Sequence, residues 1–110
     1  LLVAEHHERA GRVRRLLRRA FAEVPAKSRS HVFLEAARVE ELAGRPGAAR
    51  RILARAQRAA RGEWKVFLEG VLLEVRAGRP GRAAQAAEAA LRVHSGTGRL
   101  WAALVALRGP

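Results

Sequence analysis

The 110-residue sequence holds no cysteine, methionine, tyrosine, aspartate or asparagine. Without cysteine there is no disulfide, no thiolate metal site and no sulfur nucleophile, and the redox compartment is left undetermined. Hydroxyls are almost as scarce. Ser28, Ser30, Ser95 and Thr97 are all of them, and each falls in an expected loop or at an expected helix start, where capping is the ordinary role. No apolar run approaches the roughly 20 residues of a membrane-spanning helix. The opening Leu1-Leu2-Val3-Ala4 passes at once into Glu5-His6-His7-Glu8, which is unlike a signal peptide. A chain of this length buries one modest core, which excludes a multidomain enzyme. Because it opens on Leu1, it reads as a piece of something longer.

What is abundant is arginine and alanine: twenty Arg to two Lys, 24 Ala, and a formal net charge of +12. A GC-rich coding sequence explains arginine in place of lysine. It does not by itself require a surplus of twelve positive charges, so a partner carrying negative charge stays open beside a merely solvated basic surface.

Ala, Leu, Arg and Glu dominate and no alternating strand pattern competes, so the chain reads as all-α. Breaks fall at Pro25, Ser28-Arg29-Ser30, Gly44-Arg45-Pro46-Gly47, Gly62, Gly78-Arg79-Pro80-Gly81 and Gly96-Thr97-Gly98. Helices are expected over 5–23, 29–43, 46–61, 63–77, 80–93 and 98–108.

Self-comparison is more informative. Ala43-Gly44-Arg45-Pro46-Gly47 recurs 34 residues later as Ala77-Gly78-Arg79-Pro80-Gly81, and Val32-Phe33-Leu34-Glu35 recurs as Val66-Phe67-Leu68-Glu69. The same shift takes Glu40 to Glu74, Ala49 to Ala83, Ala56 to Ala90 and Phe67 to Trp101. Earlier, Val13-Arg14-Arg15-Leu16-Leu17-Arg18-Arg19-Ala20 lies over Ala49-Arg50-Arg51-Ile52-Leu53-Ala54-Arg55-Ala56, with two extra residues in the following loop. With A and B as the two helices of a unit, the chain reads B, A-B, A-B, A. The units run approximately over 1–28 (partial), 29–62, 63–96 and 97–110 (partial). A period of 34 with two helices per unit marks an α-α superhelix of antiparallel helix pairs, in which stacking makes the core. A helix at each end is then unpaired, with an apolar face that is expected to be sticky.

These residues resemble the half-a-tetratricopeptide repeats, relatives of the tetratricopeptide repeats. The pattern of aromatic, Glu, Gly turn, Ala-Arg, two apolar residues and Arg-Ala is followed by Phe33, Glu40, Gly44, Ala49-Arg50, Ile52-Leu53 and Arg55-Ala56. Phe67, Glu74, Gly78, Ala83 and Ala90 follow it in part, and Leu100-Trp101 is similar to the opening of a further unit. Ala84 stands where Arg belongs, Phe twice replaces Trp, and Arg108 takes the Glu position of the last unit. Half-a-tetratricopeptide and plain tetratricopeptide therefore both stay open. The resemblance implies a non-enzymatic scaffold whose partners are other protein subunits of an RNA-processing complex, in splicing, 3′-end formation, ribosomal RNA maturation or organelle transcript stabilisation. It implies a nuclear setting, with a chloroplast, another organelle or the cytoplasm as alternatives.

The repeat residues have structural roles that need no ligand. Phe33, Phe67 and Trp101 are expected in the core between successive units. Ala49, Ala56, Ala83 and Ala90 allow close helix approach, while Gly44 and Gly78 suit left-handed caps and Pro46 and Pro80 suit the first turn of a B helix. Glu40 is expected to pair with Arg50 within its hairpin. No catalytic arrangement emerges: adjacent His6 and His7 lack the second His four residues on of a zinc protease helix, and His31 and His94 have no partner at ligand spacing. The Glu residues sit among Arg, as in salt-bridged faces. Ser95-Gly96-Thr97-Gly98-Arg99 lacks the strand and the Gly-Lys ending of a phosphate loop. No enzyme activity, cofactor, metal or small-molecule substrate is expected.

Two surfaces remain. The first is the outer line of the A helices, with Lys65, Leu68, Leu72 and Arg76 in one unit and Leu34 and Arg38 in the one before. It is either clamped between neighbours or a groove for a partner peptide. The second is basic: Arg51, Arg55 and Arg58 on one B helix, with Arg14, Arg15, Arg18 and Arg19 a unit earlier. Such a stripe suits a phosphate backbone read without sequence preference, making RNA the alternative partner. It carries no interleaved aromatic for base stacking. A peptide-binding tetratricopeptide adaptor unrelated to RNA is the further alternative.

Overall fold

A computed structural model of the chain describes residues 26–109 and, ahead of them, Glu8, Arg9, Gly11, Arg12, Arg15, Arg18 and Arg19, all seven helical. Helices α1 (Ala26–Leu42), α2 (Pro46–Ala59), α3 (Trp64–Arg76), α4 (Pro80–Val93) and α5 (Gly98–Arg108) follow, and no strand occurs among the described residues. The chain is an all-α helical repeat. The expected helix over 5–23 lies mostly outside the described residues.

One boundary departs from expectation. Ser28-Arg29-Ser30 is not a break but part of α1, which begins three residues before the expected position 29. Between Ala26 and Leu42 there is neither Gly nor Pro, so nothing interrupts the hydrogen-bond ladder. Serine in a helix costs only a few tenths of a kcal/mol, too little to end one.

The residues form two compact units, 1–60 and 61–110. In the first, α1 packs on α2. Phe33, Ala36, Ala37 and Glu40 are buried on α1, with Ala43 just beyond its end, and Ala49, Ile52, Leu53 and Ala56 on α2, each set following the three-and-four spacing of one helical face. In the second unit α3 packs on α4, and α5 packs on both. Val71, Ala83 and Ala87 form its innermost cluster, with Ala103, Leu104 and Leu107 of α5 laid against it. Alanine at this contact lets the helix axes approach closely.

The turn joining A to B helix is built identically in both units. Gly44 (φ 79°) and Gly78 (φ 73°) adopt the left-handed conformation. The Gly44 N–H donates to the Glu41 carbonyl and the Arg45 N–H to the Glu40 carbonyl; Gly78 to Val75 and Arg79 to Glu74 repeat this pair of bonds. That is the Schellman arrangement, which satisfies the last carbonyls of the A helix. Arg45 and Arg79 then accept the first bond of the B helix, from Ala49 and Ala83, and Pro46 and Pro80 follow in its first turn. One residue thus ends one helix and starts the next, which folds each pair into a tight antiparallel hairpin.

A Cβ at Gly44 or Gly78 would meet no atom within 4 Å, so the requirement for glycine there is entirely one of backbone conformation. Gly44→Ala and Gly78→Ala should each cost about 1 kcal/mol in urea denaturation followed by circular dichroism. The effects should add in the double variant, because the sites lie in separate units. Gly62, with equally open surroundings and no positive φ, should tolerate alanine at no cost.

Candidate functional site

Helix α3 has two unlike sides. Val66, Phe67, Val71, Leu73 and Glu74 are buried. Lys65, Leu68, Leu72 and Arg76 share an arc of about 80° on the other side, at 100° per residue. Leu68 and Leu72 are half-buried, Lys65 is exposed and Val75 beside them is 46% exposed. These leucines therefore lie on the side of α3 away from its buried face. Arg76 reaches Glu69 at 3.6 Å, bordering the leucines with a charged pair. In the first unit the matching line on α1 holds Leu34, half-buried, and Arg38, exposed and 3.5 Å from Glu41. The apolar character thus belongs to α3, while α1 is mixed.

The basic surface lies on α2. Arg51, Arg55 and Arg58 are all exposed and fall within about 60° of arc, opposite the buried Ala49, Ile52, Leu53 and Ala56. From Leu42 to Gly62 the sequence has six arginines and no acidic residue. Arg15, Arg18 and Arg19 are likewise exposed and helical, whereas Arg14 lies outside the described residues. On α4 the positions that repeat Arg51 and Arg55 are Gln85 and Ala89, and Arg92 alone continues the line.

The buried carboxylates are structural. Glu40 is 1% exposed and has the Arg45 guanidinium 3.9 Å away. Glu74 is also buried, at the same register position. Arg108 takes that position on α5, where it turns outward and pairs with Glu88 of α4.

Trp101 departs from the expected core role. It is 49% exposed, whereas Phe33 and Phe67 are buried at the same register position. Phe67 packs edge-on to the His94 ring at 5.0 Å, and no B helix follows α5 among the described residues to cover Trp101 in the same manner. Its indole N–H instead donates to the Ser95 carbonyl at 2.6 Å, which straps the tryptophan to the preceding turn.

The contacts of two further residues, His94 and Trp64, had no signal in the pattern of residues. Besides packing on Phe67, His94 has its Nε2 2.7 Å from the Arg61 carbonyl, tying the end of α4 to the approach to α3. Trp64, half-buried at the start of α3, has the Arg99 guanidinium of α5 5.7 Å from its ring centre and Lys65 at 5.9 Å. Thr97 stands at the N-cap of α5, yet its side chain makes no capping bond.

No group of three or more His or Glu residues that could hold a metal occurs among the described residues. No described helix is long and apolar enough to cross a membrane. A model of the family described as PRP6, TPR-like domain matches residues 3–109. No curated protein and no solved structure matches the chain.

Proposed function

The chain belongs to the PRP6, TPR-like domain family, and on that footing we propose that it is a non-enzymatic scaffold that holds protein subunits of an RNA-processing complex together. TPR-like domains are typically non-catalytic, and PRP6 is a family of splicing factors, which supports splicing in the nucleus as the setting. The 34-residue unit with its aromatic, buried Glu, Gly turn and Ala-Arg sequence supports the half-a-tetratricopeptide form of the repeat.

The observation that carries the scaffold reading is the placement of Leu68 and Leu72. They lie on the side of α3 that its own hairpin does not use, between Lys65 and Arg76. An apolar strip with charged ends is suited to an amphipathic segment of a partner protein.

Leu68→Glu/Leu72→Glu is expected to abolish co-purification of the protein with the subunits of an RNA-processing complex, while the helical circular dichroism stays at the parent level. Unfolding of the double variant would place the strip in the core and overturn the reading. Undiminished co-purification would remove the strip from partner binding, and association with a peptide partner outside RNA metabolism would favour the general adaptor.

A further inference from the structure

The exposed face of α2 is strongly charged and has no part in the scaffold reading. Arg51, Arg55 and Arg58 are spaced by about 6 and 4.5 Å along the axis at 1.5 Å per residue. The sequence from residue 42 to residue 62 holds six arginines and no carboxylate. The same two register positions hold Arg15 and Arg19 one unit earlier, both exposed. We propose that this α2 face binds the phosphate backbone of single-stranded RNA directly, without reading its sequence.

The choice of a polyphosphate over an acidic peptide rests on what the face lacks. The large exposed apolar residues of the described chain are Leu42, Val75, Val93, Trp101 and Val105, and none of them is on α2. A peptide helix bound there would have no apolar or aromatic anchor, and such anchors supply most of the energy of protein–protein contacts. A nucleic-acid backbone needs none, because each neutralised phosphate releases a condensed counterion. The same lack of an aromatic on the stripe means that bases are not stacked, so binding is insensitive to sequence. Guanidinium groups suit the task, since each can grip phosphate oxygens with two parallel N–H bonds.

The inference stands apart from the scaffold reading. The intact protein should bind a fluorescein-labelled oligouridylate, with affinity falling about 20-fold between 50 and 200 mM KCl if three phosphates are neutralised at a slope of roughly 0.7 per contact. Arg51→Gln/Arg55→Gln/Arg58→Gln should lower that slope by about 2 and leave the circular dichroism unchanged. Arg79→Gln/Arg82→Gln/Arg99→Gln removes the same charge from exposed positions of the second unit that lie off the basic line and should leave the slope close to the parent value. Absent or salt-independent binding overturns the proposal, and so does an equal loss in both triple variants, which would assign binding to net charge. Oligoglutamate of equal charge binding as tightly as the oligouridylate would replace the nucleic acid with an acidic peptide. In each of those outcomes capture through Leu68 and Leu72 is unaffected.

Discussion

Phe33→Ala should destabilise the first unit by about 3–5 kcal/mol, the usual cost of emptying a phenylalanine site in a packed core. Trp101→Ala, at the same register position two units on, should cost only about 1–2 kcal/mol despite removing a larger side chain. The contrast follows from burial: Phe33 is 1% exposed and Trp101 49% exposed. Phe33 sits on the face of α1 that also carries Ala36, Ala37 and Glu40, all buried, so no neighbour is free to move into the space left behind. Half of Trp101 is already in water, and the hydrogen bond it loses, to the Ser95 carbonyl, is one that water can replace. Urea denaturation of the two variants measures both numbers. Equal losses would mean that repeat position, rather than burial, decides the cost.

The repeat was legible because its turn depends on local chemistry. Only glycine adopts the left-handed conformation of Gly44 and Gly78 cheaply, and proline suits a helix start, so these residues recur wherever the backbone recurs. The inward faces were legible for a similar reason: a 3.6-residue period puts Ala49, Ile52, Leu53 and Ala56 on one side of α2 and leaves Arg51, Arg55 and Arg58 on the other. What the pattern did not carry were contacts between residues far apart in sequence. His94 with Phe67 and the Arg61 carbonyl, and Arg99 with Trp64, depend on how three helices meet. Position 60, the repeat equivalent of His94, is Ala, so no periodic signal marked that histidine. The hydroxyls misled in the opposite direction. Ser28 and Ser30 resembled a break, but propensities of a few tenths of a kcal/mol yield to an uninterrupted ladder on either side.

Alanine is the commonest residue in this chain, and its meaning changes with position, which leads to the second large expected effect. Ala87→Leu should destabilise the second unit by about 1–3 kcal/mol, because Ala87, Ala83 and Val71 are all 0% exposed where α4 meets α3, with α5 packed over them. Three added carbons there must push the helices apart or force a strained rotamer. Ala89→Leu, two residues along the same helix but exposed, adds the same carbons and should change stability by no more than about 0.5 kcal/mol. Leucine and alanine are both good helix formers, so the difference between the two variants reads packing rather than propensity. If the contact is specific, shrinking the opposing side chain should relieve it. Val71→Ala/Ala87→Leu is expected to lose less than the sum of its single variants, with a coupling of about 0.5–3 kcal/mol between neighbours. Strict additivity would separate Val71 from Ala87 energetically and leave the alanines of α4 without their role in setting the helix approach.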